Sequence, residues 1–108
     1  MEYELPSKNN YTIYSKTGCP YCVKAKTLLQ AETVEIIDCD DYIIDDKPAF
    51  LKFMAELIGK EYKTFPMVFN KDGKFIGGFT ELKPYYEEEL KSKNNFPDPF
   101  AMTGFLSR

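Results

Sequence analysis

Two periodicities alternate along the chain. Tyr11-Thr12-Ile13-Tyr14-Ser15 is a run of β-branched and aromatic residues and predicts a first strand. Lys16-Thr17-Gly18-Cys19-Pro20 is turn-like, and Pro20 suits the first position of a helix, where a missing N–H removes no bond. Residues 21–31 predict a helix with Val23, Leu28 and Leu29 as buried candidates. Val34-Glu35-Ile36-Ile37-Asp38 predicts a second strand, and the acidic stretch 39–47 a loop partly buried through Tyr42, Ile43 and Ile44. Pro48 opens a second predicted helix, in which Phe50, Leu51, Met54, Leu57 and Ile58 keep near-helical spacing and which Gly59 ends.

Met67-Val68-Phe69 predicts a third strand, Asn70-Lys71-Asp72-Gly73 a hairpin turn, and Lys74-Phe75-Ile76 a fourth strand stopped by Gly77-Gly78. A last helix is predicted from Thr80 or Lys83 to Lys91, because Pro84 is comfortable only in a first turn. The order is β-α-β-α-β-β-α. A helical crossover makes the first two strands parallel, and the tight Asp72-Gly73 turn makes the last two antiparallel. The expectation is an α/β domain over residues 1–93, a mixed four-stranded sheet flanked by helices. Residues 94–108 form a tail whose Phe96, Phe100 and Phe105 can dock on that domain.

Composition narrows the function. A chain of 108 residues, 44% hydrophobic and 29% charged, is expected to be a single globular domain and a monomer. No apolar run suffices for a membrane span, and Met1-Glu2-Tyr3-Glu4 lacks the basic start of an export signal, so a cytoplasmic location without membrane contact is expected. Fourteen basic against seventeen acidic residues, a net charge of −3, disfavour a nucleic-acid binder. The absence of His removes the Ser–His and Cys–His nucleophile pairs and the commonest nitrogen ligand of metals. One stretch departs from the acidic balance: between Glu4 and Glu32 there is no acid, only Lys8, Lys16, Lys24 and Lys26.

That positive stretch holds a C-x-x-C, Cys19 and Cys22; Cys39 stands alone and reads as an inert, small apolar residue. Three thiolates without His cannot complete a four-ligand structural zinc site, so no metal is expected. At a strand–helix junction, Cys19 meets the unpaired N–H groups and positive dipole end that favour the reactive thiolate, and Lys16 adds charge. Cys22 lies three residues along the same helical face, less exposed, within reach of a mixed disulfide formed at Cys19. Such a pair carries two electrons with no bound cofactor.

Three segments together resemble the dithiol glutaredoxins of the thioredoxin-fold superfamily: Lys16-Thr17-Gly18-Cys19-Pro20-Tyr21-Cys22, then Thr64-Phe65-Pro66, then Gly77-Gly78-Phe79-Thr80-Glu81-Leu82. The resemblance spans roughly residues 11–90. It implies a thioredoxin fold, Cys19 as nucleophile, Cys22 as resolving thiol and Pro66 in a cis peptide bond. It further implies glutathione as the reducing co-substrate. Thr64, Phe65 and Pro66 would line its cysteinyl backbone and Tyr21 its sulfur. Gly78, Thr80 and Glu81 would receive the γ-glutamyl end, and Lys16 with Lys63 the glycine carboxylate. The implied substrates are disulfide-containing and glutathionylated proteins. Phe65 stands where the family commonly has Val, and Glu81 where it commonly has Asp. Two other functions are compatible with a C-x-x-C: a thioredoxin-like reductase served by a flavoprotein, and a glutathione-ligated iron–sulfur binding module formed by a dimer.

Overall fold

The structure, a computed structural model, describes residues 2–93. Along them run β1 (Tyr11–Ser15), α1 (Pro20–Leu28), β2 (Val34–Asp38), α2 (Asp40–Ile58), β3 (Met67–Phe69), β4 (Phe75–Gly77) and α3 (Phe79–Lys93), the expected order. The tail at 94–108, with the docking expected of Phe96, Phe100 and Phe105, lies outside the described residues. The strands form one sheet in the order β2-β1-β3-β4. β1 and β2 are parallel, with Tyr11 opposite Val34 and Ser15 opposite Asp38; β3 is antiparallel to both β1 and β4.

Strand alternation sends side chains to two covered faces. On one face Tyr11, Ile13 and Val68 pack with Ala25, Leu29, Leu82 and Tyr86 of the α1 and α3 layer. On the other, Tyr14, Met67 and Phe69 pack with Phe50 and Met54 of α2. Each large side chain buried in this way contributes on the order of 1.5–3 kcal/mol. The buried hydroxyl of Thr12 accepts the Ser7 N–H at 2.9 Å, so the central strand carries it without an unmet polar group.

Several local expectations need correction. The acidic stretch after Cys39 is helical: α2 begins at Asp40, whose N–H donates to Asp38 Oδ1, and Asp40 and Asp41 complement the positive helix end. The helix breaks at Asp46 (φ −162°, ψ 85°), whose Oδ1 accepts the Ala49 N–H at 3.1 Å. Asp46 thus caps the second half, and Pro48 sits in its first turn, close to the expected start. Ile44 lies 82% exposed, whereas Tyr42 and Ile43 are half-buried. In α1 the inward face is Cys22, Ala25 and Leu29, which turns Val23 outward at 60% exposure, and the helix ends at Leu28 rather than near 31. β4 runs one residue later than expected. α3 starts at Phe79, one residue before the earlier of the two expected starts, and the Leu82 N–H donates to the Gly78 carbonyl, so Thr80 lies inside the first turn. Pro84 is accommodated within the helix, beyond that turn.

Candidate active site

The β1–α1 connection delivers the first cysteine. Gly18 takes φ +75°, a conformation that side chains other than glycine rarely adopt, and turns the chain into α1. Cys19 is the N-cap of that helix, with extended backbone (φ −111°, ψ 101°). Its sulfur accepts the Cys22 N–H at 3.1 Å, and its carbonyl accepts the N–H groups of Cys22 and Val23. A sulfur in the place of a capping oxygen receives the donor that best stabilises a thiolate. Cys19 and Cys22 are joined as a disulfide across a Cα–Cα distance of 5.2 Å. Cys19 retains 8% exposure and Cys22 only 1%, so an incoming thiolate meets Cys19 first.

The loop before Cys19 is fastened to α2. Asp40 Oδ1 accepts the Thr17 N–H at 2.9 Å, and Oδ2 accepts the Thr17 hydroxyl. These bonds, the hydroxyl first, together with the Lys16 charge hold the Asp40 carboxyl below the usual carboxylate range.

A groove of about 580 Å³ opens beside Cys19. Lys16, Tyr21, Lys63, Thr64, Phe65, Pro66, Gly78, Thr80 and Glu81 all line it, so three distant segments of sequence meet at one place. The Phe65–Pro66 bond is cis, and the Phe65 carbonyl oxygen lies 3.6 Å from Cys19 Sγ. Lys16 Nζ stands 5.4 Å from the centroid of the Phe65 ring, which stacks on Phe50 at 6.3 Å. Phe65 therefore joins the groove to the aromatic core and gives Lys16 a π face to rest on. Lys63 is exposed and pairs with Glu61 at 3.4 Å.

The far wall is the start of α3. Glu81 Oε1 accepts the Gly78 N–H at 2.8 Å, the half of a capping box in which the third helical residue reaches back to the cap. Gly77 has φ +140°, and a Cβ there would fall 2.8 Å from the Glu81 side chain, which explains glycine at this position. The N–H groups of Phe79, Thr80 and Glu81 have no intrahelical partner at such a terminus and suit an anion.

Cys22 does not line the groove; it sits behind Cys19, almost inaccessible to solvent. Cys39 lies apart from it, fully buried at the start of α2 in the cluster of Tyr14, Phe50 and Met54, and burial pushes its thiol up to about 12. Four groove residues lie outside the expected set: Gly18 and Pro20, which flank Cys19, and Tyr62 and Phe79. Phe79 lies inside the Gly-Gly-Phe-Thr-Glu segment and was legible from it, its ring stacking on Tyr21 at 6.1 Å. Tyr62 belongs to a connection without periodic pattern, and only the fold brings it to Gly78. Among the described residues no group of acids and cysteines is arranged to hold a metal, and no helix is long and apolar enough to cross a membrane.

Comparison with known proteins agrees with this geometry. The glutaredoxin family model matches residues 11–76. A glutaredoxin of Haemophilus influenzae is 33% identical over 80 residues, 72% of this chain and 91% of that protein. One of Vibrio cholerae is 39% identical over 82 residues, again 72% of this chain and 91% of that protein. Among solved structures, glutaredoxin 1 of Francisella tularensis, complexed with cacodylate, superimposes with a TM-score of 0.63 at 33% identity, covering 75% of this chain and 95% of that one. A buckwheat glutaredoxin–glutathione complex gives 0.62 at 27% identity, covering 77% and 73%.

Proposed function

The chain belongs to the glutaredoxin family, a thiol–disulfide oxidoreductase with its Cys19–Cys22 pair and thioredoxin fold, and from that premise we propose that glutathione is its reductant. The observation that carries the reading is the gathering of every residue assigned to glutathione around one groove, next to the exposed edge of Cys19. The buckwheat relative's complex with glutathione supports it.

Glutathione has a carboxylate at each end and an ammonium at one. Lys16, with Lys63 beside it, receives the glycine carboxylate. The free N–H groups at the start of α3 receive the γ-glutamyl carboxylate, and Glu81 its ammonium. The cysteinyl backbone pairs with the peptide of Phe65 as an added strand would. In the reaction, the Cys19 thiolate attacks a protein disulfide and releases one substrate thiolate. Cys22 attacks Cys19 Sγ, releases the second substrate thiolate and closes the Cys19–Cys22 disulfide of the enzyme. Two glutathione molecules restore the dithiol and leave as glutathione disulfide. On a glutathionylated protein, Cys19 takes the glutathionyl group, the protein leaves as thiol, and one further glutathione clears the enzyme. The same reading makes the enzyme a cytoplasmic monomer, where thiols are kept reduced.

The test is reduction of a small glutathione mixed disulfide, driven either by glutathione with its reductase or by thioredoxin reductase. Turnover with the first and none with the second is expected. The reverse result makes the protein a thioredoxin-type reductase, and a coloured, cluster-bearing dimer after anaerobic purification makes it an iron–sulfur carrier.

A further inference from the structure

A second, smaller groove of about 290 Å³ lies between α1 and α3, lined by Val23, Lys24, Thr27, Leu28, Phe79 and Lys83. It adjoins the active-site groove through Phe79, which lines both. Its surroundings are apolar and open. Val23 is turned outward, Tyr21 is 54% exposed, and the Tyr21 ring stacks on Phe79 to form a continuous aromatic wall running back toward Cys19. Lys24 Nζ stands 4.8 Å from the Tyr21 centroid and 6.0 Å from that of Phe79. Lys83 is exposed on the opposite side, and neither lysine is in an ion pair among the described residues. All of α1 is free of acids.

We propose that this groove docks the segment of a protein substrate that flanks the attacked disulfide, and that it favours an apolar residue followed by an acidic one. The proposal rests on Cys19 attacking protein disulfides. Val23, Leu28 and Phe79 give an apolar seat, Lys24 and Lys83 give charge complementarity, and continuity with the Cys19 groove places the seat where a substrate chain must pass. The chemistry is the balanced exchange already given: the Cys19 thiolate displaces one substrate thiolate, Cys22 displaces the other, and two electrons move to the substrate. The groove adds no step; it concentrates acidic, apolar sequences at the reacting sulfur and raises their rate of attack.

The test uses the full chain, reduced with dithiothreitol and freed of it, so that no glutathione takes part. Short peptides closed by one intrachain disulfide differ only beside the attacked cysteine, Leu-Glu in one and Ser-Lys in the other. The wild type is expected to oxidise faster with the first, by on the order of tenfold. Lys83→Glu should narrow that ratio roughly fivefold and Lys83→Arg should restore it. Val23→Ser should slow the Leu-Glu peptide alone, by about threefold. All three leave the rate on a small uncharged disulfide unchanged. Equal rates for the two peptides, or a Lys83→Glu effect that is the same on both, would overturn the proposal and leave the groove to the chain's own tail or a second copy. Failure to use glutathione would not alter these rates, so the two readings fail separately.

Discussion

Glu81 folds back on Gly78. The carboxylate proposed to meet the ammonium of glutathione is also the one that accepts the Gly78 N–H, so the side chain that lines the groove also holds the helix start. Substitution separates the two. Glu81→Gln keeps an oxygen acceptor and should unfold within about 0.5 kcal/mol of wild type, yet its KM for glutathione should rise about three- to tenfold as the ammonium loses its counter-charge. Glu81→Ala should lose the cap as well, at about 1 kcal/mol in thermal or denaturant unfolding. Equal stability losses in the two variants would mean the charge, not the bond, holds the turn.

Cys19→Ser should abolish reductase activity, since the sulfur capping α1 is the one that meets solvent. Cys22→Ser should keep most turnover of glutathione mixed disulfides, which need only Cys19 and a second glutathione, and lose most turnover of protein disulfides. Parallel assays of the two substrates check this split.

The Thr17–Asp40 bonds predict a pH response of the loop before Cys19. Asp40 titrates below an unfolded aspartate, near 3.9, so its contribution is in place above about pH 4 and is lost as pH falls through the depressed value. Thr17→Val removes the hydroxyl donor, the larger cause, and should move the Asp40 carboxyl midpoint upward in an NMR titration.

Cys39 responds in the opposite direction. Burial raises its thiol from 9.0 to about 12, so the neutral core form contributes stability below about pH 9, and that contribution declines as pH rises toward 12. Iodoacetamide applied to the reduced, folded protein at pH 8 should modify Cys19 and leave Cys39 untouched until denaturant is added, as peptide mass mapping would register.

The sequence made the site more legible than some of the scaffold around it. Short motifs such as Cys19-Pro20-Tyr21-Cys22 and Thr64-Phe65-Pro66 carry their geometry locally, in a proline-started helix and a proline turn. Their convergence followed from recognising the family pattern. The stretch after Cys39 was misjudged because Asp40 and Asp41 look like loop residues by composition, yet acids are favourable in a first helical turn. Val23 was misplaced because α1 is short and weakly amphipathic, leaving the choice of inward face to Cys22 and Ala25. The Glu81 bond to Gly78 follows the capping-box spacing, three residues from cap to acid, a signal that the sequence carried and that the reading of Thr80 or Lys83 as the helix start passed over.

The central claim is that the groove beside Cys19 holds glutathione, and the measurement that tests it most directly is the identity of the group Cys19 keeps. Reduced Cys22→Ser protein is mixed with a glutathionylated peptide and the covalent adduct is weighed by mass spectrometry. The account predicts a Cys19–glutathione disulfide and a released peptide thiol, with the adduct cleared by added glutathione as glutathione disulfide. A Cys19–peptide disulfide with free glutathione, or an even mixture of the two, would contradict it.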